Sequence, residues 1–245
     1  MTVLVAPAKL TVSLRIVGVR DDGFHLVDAE MVTVDLVDTL MVDSGDALVI
    51  VDETNSNDAL PVDTGDDNLV RRALRLCERQ ASVRVHKRIR AGAGLGGGSA
   101  DAAAILRWAG FDDVDRAVSI GADVAFCLIG GRARVRGIGE IVEPLPFAVR
   151  SYTLLTPPFG CSTPAVYAKW DALGGPVGAH GNDLEPAALA VEPRLEQYRD
   201  ALAEASGRRP RLAGSGSTWF VEGAYHGADR VVVRTVPAPR RASAT

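Results

Sequence analysis

Five glycines fall within the seven residues from Gly92 to Gly98, inside the stretch Arg90-Ala-Gly-Ala-Gly-Leu-Gly-Gly-Gly-Ser-Ala-Asp101. A backbone with so few Cβ atoms takes positive φ readily and lets a ligand approach closely. Before it, Val83, Val85 and Ile89 stand among Arg84, His86, Lys87 and Arg88, which reads as a half-exposed strand. After it, Ser99 to Trp108 is rich in helix formers, with Ser99 as the candidate cap and Gly110 as the stop. Strand, glycine loop and helix start make an anion cradle, because unpaired N–H groups and the positive end of the helix dipole meet at one point. A polyphosphate suits that chemistry.

Two other readings stand beside the cradle. A flexible turn is one, although a plain connection rarely needs so many glycines. The other is a dinucleotide-binding crossover, since Gly92-Ala-Gly-Leu-Gly-Gly97 matches G-x-G-x-x-G literally. Against it, the preceding strand alternates with charges, and Asp112 to Ser119 reads as helix where a second buried strand should lie. A Walker A loop is excluded, because no Gly-Lys-Ser/Thr follows the glycines. The expectation is a nucleoside triphosphate in a loop of neither class.

Three further side chains could do chemistry. Leu10, Val12, Leu14 and Ile16 alternate with Thr11, Ser13 and Arg15, which puts Lys9 on the Thr11 face as an exposed lysine, either solvated or functional. Phe24-His25 follows the tight turn Arg20-Asp-Asp-Gly23, a position from which the pair could line a pocket. Asp123, among the apolar residues of Ile120 to Phe126, is either a helix cap or a functional carboxylate.

The elements that must position these residues alternate in type. Thr2–Val5 reads as a short strand ending at Pro7, and Val32–Leu36, Leu40–Val42 and Leu48–Val51 as strands of a largely antiparallel sheet. Asp52 to Asp67 is acidic and reads as a solvated loop, and Asp67-Asn68 caps a helix with the apolar stripe Leu69, Val70, Ala73, Leu74 and Cys77. Ala133 and Val135 alternate with arginines as another strand. The pattern restarts between Pro144 and Arg150, where a domain boundary is expected, dividing residues 1–147 from 148–245. Beyond it come a strand at Tyr152–Leu155, a helix with Ser162 as N-cap followed by Pro164 at the first helical position, and a helix after Pro193 stopped by Gly207. Arg211 to Val221 then reads as strand, glycine turn, strand, and Ala238 to Thr245 as a frayed tail.

Composition bounds the function. The 245 residues carry a formal net charge of -4, which argues against a broad nucleic-acid surface, so a cationic phosphate site must be local. Cys77, Cys127 and Cys161 are odd in number and lack metal-ligand spacing, as buried free thiols of a reducing compartment would be. No basic n-region or apolar run of membrane-spanning length occurs, so a cytoplasmic protein without membrane partners is expected. Monomer and homodimer both stay open.

Six motifs then occur in order: Pro7-Ala-Lys-Leu-Thr11, Asp22-Gly-Phe-His25, Ala93-Gly-Leu-Gly-Gly-Gly-Ser-Ala-Asp-Ala-Ala103, Gly121-Ala-Asp-Val124, Asn182-Asp-Leu-Glu-Pro186 and Ala213-Gly-Ser-Gly216. Together, from about Val3 to Pro237, they resemble the galactose/homoserine/mevalonate/phosphomevalonate (GHMP) kinase superfamily, and within it the branch acting on a cytidine diphosphate methylerythritol. The resemblance implies a two-domain α+β fold, the N-terminal half like domain 2 of ribosomal protein S5 and the C-terminal half ferredoxin-like. It implies transfer of the γ-phosphoryl of ATP, with Mg2+, to the 2-hydroxyl of the methylerythritol unit. Lys9 and Asp123 match the catalytic pair, Arg90, Ala91, Gly92, Ala93, Gly94, Leu95, Gly96, Gly97, Gly98, Ser99 and Ala100 the ATP loop, and Asn68 and Lys87 further nucleotide contacts. Thr11, Phe24 and His25 match the substrate side, while the metal ligands stay unassigned.

Departures from the family pattern touch the substrate side. Thr11 stands where the family has Asn, Phe24 where it has Tyr, Arg90 and Ala125 where it has Pro, and Ala100 where it has a second Ser. The segments from Ser99 to Asp123 and from Gly216 to Val231 are short, which predicts one helix trimmed or absent in each half. A related kinase of altered substrate, and a nucleotide-binding protein that has lost transfer, remain alternatives.

Overall fold

The computed structural model describes residues 1–54 and 62–239. The expected solvated loop at Asp52 to Asp67 and tail at Ala238 to Thr245 lie partly outside the described residues. Two long strands form the backbone of the first sheet. β1 (Thr2–Val19) and β2 (His25–Asp43) pair antiparallel along their length, with β3 (Leu48–Asp52) and β4 (Ser82–Lys87) to one side. The expected breaks at Pro7 and between Leu36 and Leu40 are therefore not strand ends. Register shifts at Pro7/Lys9, Thr11/Ser13 and Ile16/Gly18 let each strand continue. An irregularity in the ladder is where a proline, lacking its N–H, is tolerated.

β2 carries β1 on one edge, and β4 and β5 (Arg132–Gly137) end to end on the other: Thr39–Asp43 pairs with β4, Val27–Val32 with β5. β6 (Ile141–Pro144) closes that side, and β3 pairs parallel with β4. The second sheet has the order β10-β7-β9-β8, all antiparallel, from β7 (Ser151–Leu155), β8 (Arg211–Leu212), β9 (Trp219–Glu222) and β10 (Val231–Arg234).

The helices are α1 (Leu69–Leu76), α2 (Gly97–Trp108), α3 (Val114–Ala117), α4 (Val124–Ile129), α5 (Thr163–Ala172), α6 (Glu185–Val191) and α7 (Leu195–Ser206). Asn68 caps α1, accepting from Val70 N at 2.8 Å, and Ser162 caps α5, as their spacing predicts, while Thr163 takes the first helical position and Pro164 the second. α3 is a single turn and Gly223 to Arg230 contains no helix, which accounts for the two short segments. α6 has no strong cap or stripe, and sequence periodicity did not foretell it.

Packing places the cores. α2 buries Ala100, Ala102, Ala103 and Ala104 with Ile105 and Leu106, small side chains that let it lie close on the first sheet beside α1 and α4. A second core joins the two sheets: Leu10 and Val32 from the first, Ile89 and Leu95 from the glycine loop, Tyr152 and Phe220 from the second. Burying Ile89 and Leu95 fully contributes about 1.5–3 kcal/mol each. The loop is therefore anchored from below, with its glycines left on top.

Candidate active site

The first strand brings Lys9 inward. Its side chain is only 6 % exposed, so the expected solvated lysine is in fact buried, and a buried ammonium needs partners. It has two. Nζ donates to Thr11 Oγ1 at 3.0 Å and pairs with Asp123 Oδ2 at 3.0 Å. The Lys9 backbone also donates to Leu95 O at 3.0 Å, tying the strand to the glycine loop. Gly96 makes the contact feasible, because a Cβ there would lie 2.7 Å from Lys9 Cγ.

Asp123 sits one residue before α4, but its side chain makes no capping bond. It turns instead to Lys9 and keeps 29 % of its side chain exposed on the wall of the cleft. The helix-cap reading of Asp123 is thereby set aside by geometry. Ser99 is likewise not a cap. α2 starts at Gly97 with Gly96 as N-cap at φ 67, and Ser99 lies inside the first turn. A left-handed N-cap without a side-chain oxygen leaves the first N–H groups of a 12-residue helix unsatisfied and open to a ligand.

These groups line a cleft of about 740 Å³. Ala91 to Gly94 and Gly96 to Ser99 face it from the loop, while the side chains of Leu95 and Ala100 turn into the core. The second glycine turn closes against the first. Ser217 N and Thr218 N donate to Gly92 O and Ala93 O, both at 3.1 Å, and Gly214 and Ser215 join the cleft wall. Asn182 holds this turn by donating to Leu212 O at 2.9 Å and Gly214 O at 2.7 Å, so part of the Asn-Asp-Leu-Glu-Pro motif is scaffolding. Asp183 does similar service, accepting from Arg15, Ile16 N and Gly178 N.

Asn68 lines the cleft while capping α1. Lys87 also borders it, but Asp38 and Asp101 both hold its Nζ, the latter at 2.7 Å. Burial works against charge on Lys87, and the two carboxylates outweigh it, holding its pKa above the ordinary lysine value. Burial pushes Asp101 up to about 7 despite the lysine, and its Oδ1 has no partner. Sequence reasoning missed Asp38, although a signal existed. It alternates in register with Leu40 and Val42 on a buried face, where a carboxylate demands a cation. Arg90 donates to the carbonyls of Thr156 and Pro157, strapping the loop to the second sheet, and burial lowers its pKa.

At the other end of the cleft lie Phe24, exposed, and His25. Tyr167 from α5 packs its ring 4.7 Å from that of His25. Burial, with Asp123 nearby, raises the Tyr167 hydroxyl to about 12. Tyr167 was not foreseen, because nothing within a few residues of it signals a pocket.

Residues 68–131 match the GHMP kinases N terminal domain, the segment holding the glycine loop and Asp123. The 4-diphosphocytidyl-2-C-methyl-D-erythritol kinase of Paracoccus denitrificans is 38% identical over 234 residues, covering 88% of this chain and 84% of that protein. The chain belongs to this kinase family. The protein of the same name from Xanthomonas axonopodis pv. citri is 36% identical over 264 residues, with 97% and 87% covered. A crystal structure of 4-(cytidine 5'-diphospho)-2C-methyl-D-erythritol kinase superposes with a TM-score of 0.74 at 27% identity, spanning 96% of this chain and 99% of that one. The Methanococcus jannaschii mevalonate kinase, at 10% identity and a TM-score of 0.55 over 96% of this chain and 97% of that one, shares the fold. The GHMP kinase fold with mixed α+β content is thus the architecture of this chain, and the Lys9–Asp123 pair sits within it beside the glycine loop.

Proposed function

We propose that the protein transfers the γ-phosphoryl group of ATP to the 2-hydroxyl of 4-diphosphocytidyl-2-C-methyl-D-erythritol, a step in isoprenoid precursor synthesis. The observation that carries this is the Lys9–Asp123 pair, 3.0 Å apart, against the open N-terminus of α2. The glycine-rich loop and the N–H groups at the helix start fit a polyphosphate. A binding-only protein has no use for a buried ammonium held against a half-open carboxylate.

Asp123 accepts the proton of the tertiary alcohol as the new O–P bond forms and the bond to ADP breaks. Lys9 keeps that carboxylate ionised and stabilises charge on the hydroxyl and the γ-phosphate. Placing the reactants in line supplies much of the remaining rate. Mg2+ belongs to this proposal as the ion that would neutralise charge on the triphosphate, and no residue is assigned to hold it. Among the described residues no group of three or more His, Cys, Asp or Glu side chains forms a site of its own.

In this reading the ATP loop runs from Arg90 to Ala100 with Asn68 beside it, and Lys87 acts on the nucleotide through the loop it anchors. Phe24, His25 and Tyr167 take the cytidine, and Thr11 orients Lys9. The chain divides at residues 147/148 between β6 and β7. The second half is ferredoxin-like: its order β10-β7-β9-β8 is what two β-α-β units give when the second helix is deleted. The first half is read as like domain 2 of ribosomal protein S5, on the long β1–β2 pair backed by α1, α2 and α4. A cytoplasmic location is supported by three free thiols, and no described helix is long and apolar enough to cross a membrane.

The test is Asp123→Asn, followed by ADP release and by 31P NMR of the 2-phosphate product. Loss of the general base lowers kcat by roughly 100- to 10,000-fold while ATP binding stays near the wild-type value. Undiminished turnover in that variant refutes the assignment.

A further inference from the structure

His25 opens β2 immediately after the turn, with its side chain 10 % exposed. One face of the ring meets Tyr167 at 4.7 Å and tilted 42°, and Trp170 meets it edge-on at 5.5 Å. Trp170 is itself held by donation from Nε1 to Pro176 O at 3.0 Å. His25 and Tyr167 line the cleft, whereas Trp170 and Asp171 of α5 stand behind them. From outside the cleft, the half-exposed Asp171 places Oδ1 2.8 Å from His25 Nε2. Nδ1 has no hydrogen-bond partner among the described residues.

An ionised carboxylate only accepts hydrogen bonds. A neutral imidazole facing it across 2.8 Å therefore carries its proton on Nε2 and keeps a lone pair on Nδ1. We infer that Asp171 is a specificity-determining positioning residue: it fixes His25 in the Nε2–H form, so that Nδ1 accepts from the exocyclic amino group of a cytosine. This rests on the cytidine reading of the cleft given above. A uracil presents a carbonyl where cytosine presents that amino group, so two acceptors would face each other with no proton between them. A site built around one hydrogen bond rejects the analogue lacking it by leaving a polar group unpaired. Van der Waals packing of the base against Phe24 and Tyr167 discriminates poorly, because the two pyrimidines have nearly the same shape.

The test uses CDP and UDP as probes, titrated calorimetrically at pH 8, above the ordinary imidazole range. Wild type binds CDP about tenfold or more tightly than UDP, the discrimination one hydrogen bond supplies. Asp171→Ala removes the acceptor. Asp171→Asn keeps the shape but can donate to Nε2 as well as accept from it. In both variants the CDP-to-UDP ratio falls toward unity, and the KM for the cytidine substrate rises while kcat holds. 15N NMR of His25 then shows the proton on Nε2 in wild type and a mixture in the variants. Should Asp171→Ala fail to fold, the near-isosteric Asn variant carries the measurement. A wild-type preference for CDP that both variants retain overturns the inference, as does a proton found on Nδ1 in wild type. A wild type that binds CDP and UDP equally, or neither, brings down the cytidine reading itself.

Discussion

Gly94→Ala is the perturbation whose cost can be worked most directly from the structure. Gly94 has φ +78, and a Cβ there would lie 2.1 Å from Ala213 O and 2.8 Å from Gly216 O. Both are backbone atoms of the second glycine turn, so no side chain can swing aside. The left-handed backbone alone costs a non-glycine residue about 1–2 kcal/mol. Relieving the clash requires the two turns to part by about 1 Å, enough to break the bonds from Ser217 N to Gly92 O and Thr218 N to Ala93 O, each 3.1 Å. Each lost bond costs about 1–2 kcal/mol where its groups stay buried. The total of about 3–6 kcal/mol lowers Tm by roughly 6–24 °C for a chain of this size. Gly110→Ala is the control. It has φ +74 and nothing within 4 Å, so it carries the strain without the contact. Thermal melts of both variants, with the KM for ATP, decide the matter. Equal Tm shifts in the two, and an unchanged KM in Gly94→Ala, would show that the turns do not lean on each other as described.

Lys9→Met keeps the length of the side chain but leaves Asp123 without its counter-charge; kcat drops at least 100-fold in an ADP-release assay, and a variant retaining a tenth of the wild-type rate would dismiss the role of Lys9. Asn182→Ala strips a donor from Leu212 O and Gly214 O, costing about 2–4 kcal/mol in denaturant melts and raising the KM for ATP as the second turn loosens. Asp101 has its folded-state pKa raised to about 7 by burial, against 3.8 as the ordinary value. The folded protein therefore holds a proton that the unfolded chain has released, so this carboxyl's contribution to stability falls as pH rises from about 4 to 7. Asp101→Asn flattens that stretch of a stability-versus-pH curve. An unchanged slope would assign the titration elsewhere.

Much of the site was legible locally. The glycine run with a strand before it and a helix after it is a short-range pattern, as are the caps at Asn68 and Ser162 and the period-2 alternation that set Lys9 beside Thr11. Family motifs carried more, assigning Lys9 and Asp123 as a pair before any distance was known. Other expectations failed for a physical reason. Pro7 reads locally as a strand end, yet β1 runs through it because a register shift in the partner strand accommodates the missing N–H. Ser99 has the residue type of a cap but lost the position to Gly96, whose left-handed φ starts the helix three residues earlier.

By itself, then, the sequence determined most of the strands, turns and helices, and the glycine loop between a strand and a helix, though not α6 or the continuity of β1 and β2, since steric and hydrogen-bonding preferences act between near neighbours. Tertiary structure decided which charges are buried against one another. Lys9 is buried because Asp123 reaches it, Lys87 because Asp38 and Asp101 share it, and His25 is oriented because α5 brings Asp171 behind it. A charge can leave water only where distant chain segments supply its counter-charge, and no window of local sequence contains that information.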